Sequence, residues 1–284
     1  MSDPAIAITG ANGYVGGTLR AAFAAAGYRV VALQRSAPAD AAIEHVPYSL
    51  EDGPAAPLPS EVRAVIHCAY DLQARSRAEI ERINLGGTEK LLGAVGGVPV
   101  VLISSMSAYT GTQQIYGRTK LACEDLVAER GGTSLRLGLV HGSGDGGMIG
   151  ALRKVAGLPL VPVLRPDSYQ YAVHADDMAR CVLDAVEQTP PERILGVADP
   201  RRVPFSDVIR TLRASITAAP LRPVPVSSAL LYRALRASEA IGVRIGFRAD
   251  SLLGLMHPAP DVPNVDYWAE QGISLRGFAQ PATC

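Results

Sequence analysis

The chain opens with the apolar run Ala5-Ile-Ala-Ile-Thr9 and passes directly into Gly10-Ala-Asn12-Gly13-Tyr14-Val15-Gly16-Gly17. A short strand-like run that breaks into glycines at every third position, just ahead of a helical pattern, can fold in few ways. Glycines at 10, 13 and 16 let the chain turn tightly, let backbone amides approach a bound anion, and let the next helix pack closely on the strand. The N-terminus of that helix adds unpaired N–H groups and the positive end of a dipole, which suits a pyrophosphate. The same glycine spacing occurs in ordinary turns; the strand before it and the helix after it are what favour a dinucleotide.

The strand and helix rhythm continues. Apolar runs recur at 5–9, 29–33, 62–68, 98–104 and 134–140, with a weaker one at 43–48, and helical patterns cover 16–26, 77–95 and 116–130. Continuous apolar runs bounded by Gly, Pro or Ser suit strands buried on both faces, so the alternation predicts an α/β fold, a Rossmann-type doubly wound parallel sheet. Beyond residue 150 the rhythm changes. Pro159, Pro162 and Pro166 interrupt a loop-rich stretch, followed by a helix from Asp176, a strand over 193–198, and amphipathic helices over 206–216 and 227–241, the last read as lobe packing rather than membrane contact. We expect residues 1–150 to form the dinucleotide-binding domain and 151–284 a small C-terminal substrate-binding lobe, free to interleave with the first.

Composition narrows the partners. The 27 Lys and Arg balance the 27 Asp and Glu, which leaves no bulk field to recruit nucleic acid or an anionic membrane. With 48% hydrophobic and 19% charged residues, disorder is excluded. Cys68, Cys123, Cys181 and Cys284 form no C-x-x-C pair, so neither a metal site nor a disulfide framework is expected. No basic leader precedes the first strand and no apolar stretch approaches roughly 18 residues, so a cytoplasmic protein with a small-molecule substrate is expected.

The second strand ends in Leu33-Gln34-Arg35-Ser36. An Asp or Glu there would hold the ribose 2′-hydroxyl of NAD; Arg35 instead suits the 2′-phosphate of NADP, so NADP(H) is expected over NAD(H). Further on, Ser104-Ser105 closes another strand, Tyr116 follows Ser105 by eleven residues, and Lys120 lies four beyond, on the same helical face. A phenol with an ordinary pKa of ~10 is a poor base at neutral pH, and an adjacent ammonium plus a cationic nicotinamide would favour its phenolate. Such a Tyr can exchange a proton with a carbonyl or alcohol oxygen while hydride moves, and Ser105 can fix that oxygen.

Taken together, these residues resemble the short-chain dehydrogenase/reductase superfamily, in its extended or atypical epimerase/dehydratase-like branch. The loop T-G-x-x-G-x-x-G is Thr9 to Gly16, S-S-x-x-x-Y is Ser104 to Tyr109, and the active-site helix begins Tyr116-Gly-Arg-Thr-Lys120 and runs on to Glu124. The resemblance implies that Cys68, Ala69 and Tyr70 after His67 border the cofactor. It likewise places Ser49-Leu50-Glu-Asp52 beside the adenine, and Leu139 and Val140 near the nicotinamide. It also implies that Asn84, in Asn84-Leu-Gly-Gly-Thr88, helps order the active-site helix, and that helices 77–95 and 116–130 could form a homodimer interface. Catalysis would fall to Ser105, Tyr116, Lys120 and Asn84, with Tyr70, Met106, Tyr109, His141 and Met148 against the substrate. In Tyr171-Ala-Val-His174-Ala-Asp176-Asp177, we read a strand end followed by an Asp helix cap rather than a metal cluster.

Departures from the pattern bear on the substrate. Leu139 stands where nucleotide-sugar enzymes of the branch commonly carry Asn, Gln170 stands where they carry Arg, and the stretch between Ser105 and Tyr116 is short. A diphosphate loses charge-assisted contacts by this, unless Arg153, Lys154 or Arg165 supplies them. The leading expectation is an NADP(H)-dependent oxidoreductase acting on a small carbonyl or alcohol. An epimerase or dehydratase with retained cofactor and a non-catalytic NADP-binding protein are the competing readings.

Overall fold

A computed structural model describes residues 4–74, 76–142, 144–163, 168–241 and 248–278; Arg165 and Cys284 lie outside the described residues. The first half runs β1 (Ala5–Thr9), α1 (Tyr14–Ala25), β2 (Arg29–Gln34), β3 (Glu44–Ser49), β4 (Gly53–Pro54), β5 (Val62–His67) and α2 (Arg77–Ile80). A π-helical turn at Glu81–Leu85 leads into α3 (Gly86–Ala94), β6 (Val100–Ser105), α4 (Ile115–Glu129) and β7 (Thr133–Leu137). Next come β8 (Leu139–His141), α5 (Gly147–Ala156), β9 (Val161–Val163), β10 (Tyr169–Gln170), β11 (Ala172–His174) and α6 (Ala175–Gln188). The chain then forms β12 (Ile194–Val197), β13 (Val203–Pro204), α7 (Phe205–Ile216), β14 (Pro223–Pro225), α8 (Ser228–Ala240), α9 (Ala249–Met256) and α10 (Asp266–Glu270).

Eight strands form the main sheet in the order β12-β7-β6-β5-β1-β2-β3-β4, parallel throughout except where β4 turns back on β3. Buried residues explain the unbroken apolar runs. On β1, Ile6 and Ile8 face a core with Leu19, Phe23, Leu135 and Trp268, while Ala5 and Ala7 face another with Leu91, Leu102 and Val127. Strand alternation thus feeds two layers of helices, one on each face. A third core, around Leu152, Phe205, Ile209 and Leu252, belongs to α5, α7, α8 and α9. Strand order reverses between β1 and β5, which opens a crevice beyond their carboxyl ends.

Three local readings of the sequence are corrected. The run at 134–140 is two strands. A Cβ on Gly138 would stand 2.8 Å from both Ala198 Cβ and Tyr171 O, and beyond that glycine β8 leaves the sheet to pair with β11. The helix expected over 77–95 is interrupted by the π turn, where the Asn84 side chain donates to Ile80 O at 3.0 Å and shares that carbonyl's acceptor capacity. The cap of α6 is the His174 ring, whose Nδ1 accepts from Asp176 N at 3.3 Å, while Asp177 is buried on Arg276. The strand seen at 194–197 joins the main sheet beside β7, and α6 packs on α1, so the chain returns to the main sheet after residue 150. Among the described residues no helix is long and apolar enough to cross a membrane.

Candidate active site

A cleft of about 710 Å³ opens at the β1–β5 crevice. Its inner end is the glycine loop. A Cβ on Gly16 would lie 2.2 Å from Gly10 O, so only glycine lets α1 begin this close beneath the turn. The first-turn N–H groups of Tyr14, Val15 and Gly16 have no acceptor within α1, and all three residues line the cleft. Such a backbone cradle at a helix N-terminus fits a dinucleotide pyrophosphate.

Behind the loop lies a chain of buried hydrogen bonds. Thr9 Oγ1 accepts from Cys68 N and Ala69 N, both at 3.0 Å, so its own hydrogen goes to His67 Nδ1 at 2.8 Å. This leaves the ring proton on Nε2, which donates to Thr88 Oγ1 at 3.0 Å; Thr88 in turn donates to Asn84 O at 2.9 Å. Burial, with the Lys120 charge adding to it, pushes the His67 pKa down to about 3.

Across the cleft, Ser105 ends β6 and Tyr116 and Lys120 project from α4. Ser105 Oγ accepts from Ser107 N at 3.1 Å and its hydroxyl bonds the Tyr116 phenol. Burial pushes the Tyr116 phenol up to about 12, against the lowering effect of its hydrogen bond with Ser105. Lys120 is 3% exposed and donates to Ile103 O at 2.7 Å; burial pulls its pKa down. Its ammonium lies 5.1 Å from the Tyr70 ring centre, and that ring meets Tyr116 edge to face at 4.8 Å. Beneath them Ser104 donates to Glu124, and Glu124 holds Arg136 on β7 at 2.7 Å. This brace ties α4 to two strands. Tyr116, Lys120 and Glu124 are spaced four apart on the helix, a signal that could have revealed it from sequence.

Of the residues expected at the cofactor, Gly10, Gly13, Tyr14, Val15 and Gly16 line the cleft, as do Cys68, Tyr70, Ser104, Tyr116, Lys120, Leu139 and Val140. Six do not. Thr9 is fully buried beneath the loop and Asn12 is exposed. The Ala69 amide is spent on Thr9. Ser49 bonds Asp52 at 2.7 Å, while a Cβ on Gly87 would strike Leu50, which places Leu50 against α3. Arg35 is exposed at the end of β2, beside the turn where Gly10 N donates to Leu33 O at 2.9 Å. Asn84 is buried; its Oδ1 accepts from Asp71 N at 2.6 Å, so it anchors the loop that carries Tyr70. Met106 and Met148 line the cleft. Tyr109 and His141 do not: the Tyr109 hydroxyl donates to His257 O at 2.9 Å, and the His141 ring packs edge to face on His174 and tilted against Phe278.

Residues that sequence reasoning passed over complete the outer wall: Leu72, Ile80, Leu255, Pro258 and Ala259, with Arg248 and Asp250. Leu72 is 61% exposed and Met148 37%, which puts apolar side chains at the rim. Arg248 is spent on the carbonyls of Leu72 and Ala74, at 2.8 and 3.2 Å. Gln170 turns back to Tyr169 O, and Arg153 pairs with Asp145.

The model of the NAD dependent epimerase/dehydratase family matches residues 6–198. The chain belongs to this family. A ceramide reductase from Caulobacter vibrioides (strain NA1000 / CB15N) is 30% identical over 207 residues, a match that covers 69% of this chain and 65% of the relative, just under two thirds of its length. The fold is shared with UDP-glucose 4-epimerase from Thermus thermophilus in complex with NAD, at TM-score 0.68, 19% identity and coverage of 96% of this chain and 95% of that one. UDP-N-acetylglucosamine 4-epimerase from Bacillus cereus superposes with TM-score 0.63 at 19% identity, covering 88% of this chain and 94% of that one. Family members of this kind are enzymes, and so is this chain.

Proposed function

We propose that the protein is an NADP(H)-dependent reductase of a carbonyl compound that carries an extended apolar portion. The observation that carries this reading is the juxtaposition, in one cleft, of Ser105, Tyr116 and Lys120 with an apolar outer wall whose only described cation, Arg248, is already held by backbone carbonyls. A free cation would give a sugar diphosphate its strongest, charge-assisted contacts, and among the described residues of that wall none offers one. The ceramide reductase relative supports a carbonyl substrate with long apolar chains.

The glycine loop and the N-terminus of α1 would hold the pyrophosphate, and Arg35 would take the 2′-phosphate. Bound NADPH supplies a hydride to the carbonyl carbon. Tyr116 supplies the proton. With its pKa up at about 12 the phenol is protonated at neutral pH, ready to donate to the carbonyl oxygen as the alcohol forms. Ser105, whose hydroxyl bonds the Tyr116 phenol in the free protein, would turn its hydrogen to the same oxygen, donate a second hydrogen bond and fix its position. Solvent then returns a proton to Tyr116. The protein, mixed with NADPH and a series of aldehydes and ketones of increasing chain length, should consume NADPH fastest with the long-chain members. Tyr116→Phe should lower kcat about 10²- to 10⁴-fold while NADPH still binds. Interconversion of a UDP-sugar with no net change in nicotinamide absorbance, and no carbonyl reduced, would overturn the reading.

A further inference from the structure

The helix that carries Tyr116 does not cap itself. The N–H groups of Ile115 and Tyr116 open α4, where no intrahelical acceptor exists, and the preceding Gln114 makes no side-chain cap. One carboxylate from the far end of the chain takes both. Asp250 Oδ1 accepts from Ile115 N at 2.7 Å and Oδ2 accepts from Tyr116 N at 3.1 Å. Asp250 stands in the first turn of α9, so its charge also compensates the positive end of its own helix.

The stretch around Asp250 is moored in two further directions. Ala249 N donates to Glu239 Oε1 of α8 at 2.8 Å, which fixes α9 to the third core. Arg248 holds Leu72 O and Ala74 O, in the loop that begins at Tyr70. Tyr70 in turn packs its ring against Tyr116. Three consecutive residues, 248–250, therefore grip both the backbone of Tyr116 and the loop that walls its ring.

We propose that Asp250 is a positioning residue for Tyr116: by capping α4 from the second lobe it holds the phenol against Ser105 only while α9 is docked. This rests on the reading of Tyr116 as the proton donor. Docking of the substrate-side lobe and readiness of the proton donor then become one event, because the same carboxylate reports both.

Amide hydrogen exchange tests the clamp without any substrate. In Asp250→Ala the Ile115 and Tyr116 amides should exchange about tenfold faster, as expected for loss of a helix cap, with the Gly10–Gly16 amides unchanged. In turnover, Asp250→Ala should lower kcat about 10- to 100-fold with the KM for NADPH unaltered, and Asp250→Asn, which keeps one acceptor oxygen, should recover part of it. Introduced into Tyr116→Phe, Asp250→Ala should cost less than about twofold more, since Asp250 acts through the phenol. Should Asp250→Ala fail to fold, Asp250→Asn carries the same comparisons. Wild-type exchange rates at both amides, or an equal loss of turnover in both backgrounds, would overturn the proposal. A wild-type protein inert towards every carbonyl overturns the reductase reading alone, and the exchange rates still decide on the clamp.

Discussion

Acid should unfold this protein through His67. The ring is 1% exposed, its Nδ1 already receives the Thr9 hydroxyl proton, and its pKa stands near 3 against 6.5 for an unperturbed histidine. Between those values the unfolded chain holds a proton that the folded one does not, so the contribution to stability is complete above 6.5 and is lost as pH falls. At about 1.4 kcal/mol per unit, the whole span amounts to about 5 kcal/mol, of which about 2 kcal/mol falls between pH 6 and 4.5. Asp177 and Asp199, whose carboxyls are held below the usual value by Arg276 and Arg201 against the opposing effect of burial, add a loss of the same sign that begins at pH ~5 as the unfolded carboxylates protonate, and this loss does not depend on residue 67. Reversible urea unfolding at half-unit steps would measure the His67 share, with His67→Gln as the reference. Gln can donate to Thr88 but takes up no proton. The stability difference between wild type and His67→Gln should shrink by about 2 kcal/mol from pH 6 to 4.5. Half-buried His141, its pKa lowered chiefly by burial, contributes a slope of the same sign to both proteins and cancels. Parallel stability curves for the two proteins would refute the buried neutral histidine and the hydrogen-bond chain built on it.

Arg35→Ala should reduce the preference for NADPH over NADH about 10- to 100-fold, read as the ratio of the two dissociation constants, because a charge-assisted contact to the 2′-phosphate is worth ~1.5–3 kcal/mol. Reduction should proceed at a constant rate through neutral pH and decline only as the solution approaches the Tyr116 value near 12, because the donor must be protonated; oxidation of the corresponding alcohol should rise with pH over the same range. Leu72→Asp, at the rim, should raise KM for long-chain carbonyls about tenfold or more and leave NADPH affinity unchanged, since burying a methylene is worth about 0.8 kcal/mol.

What was legible in the sequence was what short-range spacing encodes. The glycines at 10, 13 and 16 lie within one turn of chain, and Tyr116 and Lys120 lie one helical turn apart, so their shared cleft follows from local geometry. Apolar runs read as strands because both faces of the sheet are covered, which removes any polar alternation. Long-range contacts carried no such signal. Asp250 meets Tyr116 across 134 residues and Arg248 meets Leu72 across 176, and nothing in either neighbourhood marks the partner. Tyr109 and His141 sit close in sequence to cleft residues, yet one phenol is taken up by His257 O and the other ring follows β8 out of the sheet at Gly138. The π turn at Glu81–Leu85 has no mark in the local spacing either: within it the Asn84 side chain reaches back to Ile80 O while anchoring Asp71.

The return of the chain to β12 constrains how such a protein can diversify. Leu195 and Val197 on β12, and Met178 and Cys181 on α6, share the core of β1 and α1, yet in the chain they lie between α5 and α7, which share the third core. A lobe transplanted from a relative as one contiguous block after residue 150 would bring a foreign edge strand and a foreign covering helix into the nucleotide-binding sheet. On the function proposed above, a change of substrate is therefore more easily reached by exchanging cleft-lining side chains such as Leu72 and Met148 than by recombining whole segments, which ties the inheritance of specificity to the inheritance of the core.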